Sequence, residues 1–264
     1  MKGENLMISP TCNEIEALAK EYSVIPICKE MDADVITPIT LLRKLSNVSE
    51  QYFLLESVEG GERWGRYSFL GFDPVIEVKC KNGLITQTRG QETDEINNVD
   101  PFEYLREMLD KYKAPRLVKL PPFTGGLVGY FSYEMIKYTE GTLTLKENDL
   151  YDFDLMLFDK VIAYDHLKQK ISIIVNMKTD KVMENYGKAL TFIERIVKLI
   201  YEPLPIKQPD KNRKIDFTCN LNKEEYCRMV EQAKKYILEG DIYQAVISRR
   251  FEADYKDSLI NAYR

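Results

Sequence analysis

The stretch VIEVKCKNGLITQTRG, residues 75–90, constrains the fold more than any other part of the chain. Two runs of alternating apolar and polar residues flank Asn82-Gly83. That dipeptide accepts the left-handed backbone angles of a two-residue type I′ turn, so the runs must pair antiparallel. Other strand-like runs repeat the theme. Residues 51–58 return near 66–72, and DLMLFDKVIAYD and QKISIIVNM, between 154 and 177, suggest an antiparallel meander. Helical patterns interrupt these strands without regular alternation. The expected fold class is therefore α+β, antiparallel sheets with flanking helices, rather than a doubly wound sheet.

The helices announce themselves by their ends. TCNEIEALAKEY spaces Ile15, Leu18 and Tyr22 helically, and Thr37-Pro38 and Asp100-Pro101 each place a capping residue before a proline. Glu103 stands at the capping-box position after Asp100. In 181–201, Tyr186, Leu190, Ile193, Val197 and Ile200 share one helical face. Asn222, Glu225 and Gly240 bracket a further helix with a capping box and a C′ glycine. Gly125, Gly126 and Gly129 sit within an apolar strand, which signals a bulge or a close backbone approach. No following Lys-Ser/Thr marks them as a phosphate loop.

Three prolines and several charges mark 203–214 as a linker. This divides the chain into an N-terminal domain, 1–202, and a C-terminal stretch, 215–264. In the latter, DIYQAVISRRFEADY reads as one long strand, with Gln244 and Arg250 on one face and Arg249 on the other. DSLINAYR then begins like a helix without a stop signal. A helix, a strand and a helix start do not make a domain, so the chain is expected to be an N-terminal piece of a longer protein.

Several function classes are disfavoured. Net charge is −5 and no basic run stands out, so nucleic acid is not an expected partner. No apolar stretch reaches roughly 18 residues, and the opening MKGENLMISPTCNE has no apolar h-region. Neither a membrane span nor a signal peptide is expected. Cys12, Cys28, Cys80, Cys219 and Cys227 are odd in number and scattered, which argues for reduced thiols in the cytoplasm and against a zinc site. The one histidine, His166, lies in what reads as an exposed turn, and no G-x-S-x-G elbow exists to meet it.

The stretch YFLLESVEGGERWGRYSFLGFDP, residues 52–74, ends an apolar strand with Glu56 and Ser57, turns through Gly60-Gly61 and returns with Arg66. By themselves these polar residues could simply close a strand at a solvated turn. However, LLESVEGGERWGRYSFLG resembles the N-terminal regulatory motif of the anthranilate synthase component I family. GGLVGYFSYE and GDIYQAVISRRF resemble two further signatures of that family, in the same order.

The resemblance implies conversion of chorismate to anthranilate and pyruvate, with Mg2+ as cofactor. It also implies ammonia delivered from glutamine by a partner glutamine amidotransferase (glutaminase) subunit. The family's metal ligands, catalytic histidine and chorismate contacts belong to a C-terminal half that these residues do not include. What the resemblance places here is at best half of a pocket for inhibitory tryptophan. Leu55 would wall the indole, Glu56 would meet the ammonium, Ser57 would donate or accept, and Arg66 would face the carboxylate. An Asn-Pro-Ser-Pro-Tyr-Met segment, expected after Arg264, would complete it. Gln244 matches the position at which water-adding relatives carry a lysine base. A glutamine fits ammonia as nucleophile, and a buried structural amide fits equally. Two rivals remain: aminodeoxychorismate synthase component I, and a non-catalytic amino-acid-binding or subunit-docking module.

Overall fold

A computed structural model describes residues 8–56, 65–143, 149–204 and 215–264. The chain divides into two compact units, Met1–Leu204 and Pro205–Arg264. The first contains strands β1 (Ile8–Ser9), β2 (Val24–Asp32), β3 (Tyr52–Leu55), β4 (Tyr67–Phe72), β5 (Ile76–Lys81), β6 (Leu84–Arg89), β7 (Glu92–Ile96), β8 (Gly126–Phe131), β9 (Phe153–Phe158), β10 (Lys160–Asp165) and β11 (Lys170–Lys178). Its helices are α1 (Cys12–Leu18), α2 (Pro38–Leu45), α3 (Pro101–Asp110) and α4 (Val182–Tyr201). Among the described residues the strands form two antiparallel sheets. One runs β1-β2-β11-β10-β4-β3, the other β7-β6-β5-β9-β8.

The hairpin anchors the second sheet as expected. Lys81 pairs with Leu84, and Asn82 and Gly83 adopt φ of 51° and 82°. The expected meander is only half right. Residues 153–165 are not one strand but two, in different sheets, and β10 alone forms a hairpin with β11. The chain changes sheet at Asp159, whose carbonyl accepts from the Asn176 backbone N–H at 2.7 Å and from Asn176 Nδ2 at 3.1 Å. The Asp159-Lys160 pair interrupts the apolar run at the switch, but it does not say that the two buried strands join different sheets.

One face of the first sheet carries Leu70, Ile162 and Ile173 in register, all buried. Helix α4 lies along β11 and α2 beside β3. Phe72 of β4 stacks on Phe192 of α4 at 5.8 Å. The α4 face that packs is Ala189, Ile193, Ile196 and Ile200, rotated from the expected one so that Tyr186, Leu190 and Val197 are only half-buried. On the opposite face of the sheet, Phe53 meets Phe158 of β9 edge-on at 4.8 Å. The expected close approach at the glycines is real. A Cβ on Gly129 would stand 2.0 Å from the Asp154 carbonyl oxygen.

Helix α4 ends without a glycine, and its last carbonyls are satisfied from α2. The buried Lys44 ammonium donates to the carbonyls of Leu199 and Ile200, both at 2.8 Å, and to that of Glu202. Orphan carbonyls at a helix C-terminus favour a cation. Lys44→Met keeps the stem but leaves these acceptors unpaired. It is expected to lower stability by about 2–3 kcal/mol, read from urea denaturation.

Helix starts follow the sequence with one exception. Thr37 accepts from Thr40 N–H, and Asp100 accepts from Phe102 and Glu103 N–H. Glu103, expected to complete a capping box, pairs with Arg106 instead.

The second unit holds β12 (Thr218–Cys219), α5 (Lys223–Glu239), β13 (Phe251–Glu252) and α6 (Leu259–Tyr263). The Asn222–Glu225 capping box is reciprocal, and Gly240 has φ 84°. The long strand expected over 241–255 is a correction. Only Phe251–Glu252 pairs, with Thr218–Cys219, and residues 241–250 join no ladder. A strand exists only where a neighbour accepts its backbone bonds. Tyr243 and Val246 are more than four-fifths exposed, so this segment finds no core within the unit. Most of the expected linker, residues 205–214, lies outside the described residues, as does the Gly60-Gly61 turn.

Candidate functional site

Strand β3 pairs with β4 through four residues, setting Leu55 opposite Phe69. Side-chain alternation therefore puts Phe53 and Leu55 on the same face as Phe69 and Tyr67. Tyr67 and Phe69 stack at 5.7 Å, and Phe123 meets Phe69 edge-on at 5.5 Å. Leu55, 48% exposed, stands at the open end of this aromatic strip, and Glu56 follows it, half-buried, where the strand stops. Ser57 lies outside the described residues.

Arg66 immediately precedes β4. Its Nε donates to both Asp165 carboxylate oxygens at 3.1 Å and its Nη2 donates to one of them at 2.6 Å. The guanidinium also stands over the Tyr67 ring, 4.9 Å from its centroid. Asp165 closes β10 and accepts the backbone N–H groups of Leu167 and Lys168 as well, each at 3.0 Å. Burial pushes this carboxyl up, but the Arg66 bond, the backbone donors and the Arg66 charge outweigh it and hold it below the ordinary carboxylate range. Leu55 and Glu56 thus close β3, and Arg66 stands just before β4, three residues beyond the Leu55–Phe69 pair, oriented by Asp165.

The Asp165 contribution has a definite pH signature. A depressed folded-state pKa gives stability that is present above the unfolded value of about 3.9 and lost as pH falls through the folded value. Asp165→Asn is expected to flatten that acid limb in urea midpoints measured against pH.

His166 is not the exposed turn residue that the sequence suggests. It is half-buried in the β10–β11 turn, with Nε2 2.7 Å from Ser68 Oγ. Ser68 is fully buried, so this pair offers no nucleophile to a substrate and serves as a turn anchor. Gln244 lies in the second unit, exposed, in the segment that joins no ladder. Of the two neighbouring arginines, Arg250 pairs with Glu252 at 2.6 Å and Arg249 stands over the Phe251 ring at 4.7 Å.

Sequence reasoning missed Tyr67, Phe69, Phe123 and Asp165. The first two were findable, since they alternate opposite Leu55 in a recognised strand pair. Asp165 was not, because the pairing of β4 with β10 joins segments 99 residues apart.

Over residues 50–264 the sequence matches the chorismate binding enzyme family. The chain belongs to that family. The match begins just before β3 and so takes in both the Leu55–Glu56 strand end and the second unit. Anthranilate synthase component 1 of Acetivibrio thermocellus is 38% identical over 269 residues, covering 98% of this chain and 54% of that protein. The Aquifex aeolicus protein of the same name is 33% identical, covering 95% and 52%. The crystal structure of anthranilate synthase component I from Streptococcus pneumoniae superposes with a TM-score of 0.61 at 26% identity, over 88% of this chain and 51% of that one. The antiparallel α+β fold is therefore that of anthranilate synthase component I, and this chorismate binding enzyme chain spans about half the length of the relatives it matches.

Among the described residues no group of three or more His, Cys, Asp or Glu side chains could hold a metal ion. No residue of this chain is assigned to the implied Mg2+. Nor is any helix among the described residues long and apolar enough to cross a membrane.

Proposed function

We propose that the chain is the N-terminal part of an anthranilate synthase component I, a cytoplasmic lyase of tryptophan biosynthesis. The parent takes chorismate and ammonia to anthranilate and pyruvate, with Mg2+ as cofactor, and draws the ammonia from glutamine through a glutamine amidotransferase subunit. In this reading the chain contributes feedback control by tryptophan rather than turnover. The observation that carries it is the β3 strand end, where Leu55 and Glu56 close an aromatic strip beside Arg66.

The chemistry suits a free amino acid. Its ammonium meets the Glu56 carboxylate, and charge-assisted bonds of this kind are about twice as strong as neutral ones. Its indole lies along Leu55, Tyr67 and Phe69, where ring stacking adds to burial. Arg66, held in a fork by Asp165, presents a fixed positive charge to the carboxylate. Ser57, next in the chain, adds a hydroxyl. Gln244 belongs to the chorismate side of the proposal, where an amide leaves ammonia as the nucleophile and supplies no base to water.

The test is an assay of chorismate consumption with ammonia and Mg2+. The 264-residue chain is expected to show no turnover, while a protein of the relatives' length turns over and is inhibited by tryptophan. Turnover by this chain alone would contradict the division of labour.

A further inference from the structure

The N-terminal unit contains a second cleft that neither Leu55, Glu56 nor Arg66 lines. It sits at the opposite end of the first sheet. Asp165 pairs with Lys170 at the start of β11, whereas the cleft reaches Lys178 at its end. Eight residues of strand separate them, about 26 Å. An inner chamber of about 230 Å³ adjoins a more open recess of about 430 Å³. Both share Val24, Arg89, Tyr112 and Lys178.

The chamber has an apolar floor and a basic rim. Val75, Leu157 and Phe158 line it below, and the Tyr112 ring stands at the junction with the recess. Arg89 and Lys178 are exposed at the rim, and Lys111 joins them at the recess. Among the described residues, no carboxylate lies within ion-pair distance of these three. The two acids that reach the cleft are engaged elsewhere. Asp159 pairs with Lys160 at 2.7 Å, and Asp180 accepts from Asn185 Nδ2 at 2.8 Å. The third wall is the backbone of Thr124, Gly125 and Gly126. The Thr124 carbonyl is fixed by Asn176 Nδ2 at 2.6 Å, and a Cβ on Gly125 would stand 2.5 Å from that nitrogen. The glycine stretch that spelled no phosphate loop therefore lines the cleft, and at Gly125 it has no room for a side chain.

From this geometry we infer that the cleft binds a small aromatic carboxylate, its ring on the Val75–Leu157–Phe158 floor and its charge between Arg89 and Lys178. Ligand pockets usually span about 300–1,000 Å³, so the chamber takes a single ring rather than a nucleotide. An apolar body buried beneath cations is what such an anion needs, since the cations replace the water that its carboxylate loses. The inference is independent of the tryptophan reading, because the two sites share no residue.

Benzoate is the direct probe, with benzyl alcohol and inorganic phosphate as the neutral and ring-free comparisons. In amide NMR of the 264-residue chain, benzoate is expected to shift the Gly125 and Gly126 backbone amides and the Asn176 side-chain amide. Neither comparison should reach the same shifts at equal concentration. The double variant Arg89→Gln, Lys178→Gln alters only exposed positions. It should weaken benzoate binding by about tenfold or more while leaving the rest of the spectrum in place. No shift at these amides up to about 10 mM benzoate, beyond the millimolar range of a weak site, would overturn the inference. So would equal binding of benzyl alcohol or phosphate, or a double variant that binds as tightly as the parent.

Discussion

Asp152→Ala is expected to lower the stability of the N-terminal unit by about 3–5 kcal/mol, the cost of removing one partner of a buried ion pair. Asp152 is 2% exposed and sits between the second sheet and the 3-10 turn Tyr133–Tyr138. Its carboxylate accepts from Lys137 Nζ at 2.7 Å, from Tyr138 OH at 2.6 Å and from the Asn82 backbone N–H at 2.7 Å. Lys137 also donates to Asn82 Oδ1 at 2.9 Å, so the network ties the type I′ turn to the segment after β8. Burial alone would raise this carboxyl, but Lys137, Tyr138 and the Asn82 amide together hold it below the ordinary range. Burial and donation to Asp152 raise the Tyr138 phenol.

Alanine removes the acceptor of the Tyr138 hydroxyl and the Asn82 N–H and leaves Lys137 only Asn82 Oδ1, and the thermal midpoint should fall by about 10 °C. Asp152→Asn, which keeps an acceptor oxygen, should fall less. A loss below about 1 kcal/mol in Asp152→Ala would show that water replaces the carboxylate.

Glu56→Ala and Ser57→Leu are expected to raise the tryptophan concentration needed for inhibition, in a protein of the relatives' length, with turnover near normal. For Glu56→Ala the loss is one charge-assisted contact to the ligand ammonium, about ten- to a hundredfold in affinity. For Ser57→Leu the hydroxyl proposed to meet the ligand is replaced by a bulkier apolar group. The aromatic strip of Tyr67, Phe69 and Phe123 is untouched in both, so the fold should stand. If turnover fell in parallel with inhibition, the strand end would be part of the catalytic framework rather than a control site.

What the sequence disclosed was local. Asn82-Gly83 names its own turn because two backbone angles suffice, and the Asn222–Glu225 box and Gly240 close within a few residues. The Leu55–Phe69 pairing was legible because its two strands are close in the chain. The groups that brace these elements were not legible. Lys44 reaches carbonyls more than 150 residues on, Asp165 orients Arg66 across 99, and Asp152 finds Asn82 across 70. Each is a polar residue whose partner is set by sheet order or helix packing, which periodicity does not encode. The break at Asp159 was marked only by the Asp159-Lys160 pair, which does not say that the strands on either side join different sheets. Gln244 shows the converse. A β-prone run over 241–250 produced no strand, because no described neighbour offers its backbone.

The central claim is that the Leu55–Glu56 strand end, with Ser57 and Arg66, is the tryptophan site. Its most direct measurement is tryptophan inhibition of chorismate turnover in a protein of the relatives' length, with the native sequence and Glu56→Ala side by side. The predicted result is an inhibition curve displaced at least about tenfold to higher tryptophan in Glu56→Ala, at equal uninhibited rate. Superimposable curves would contradict the claim.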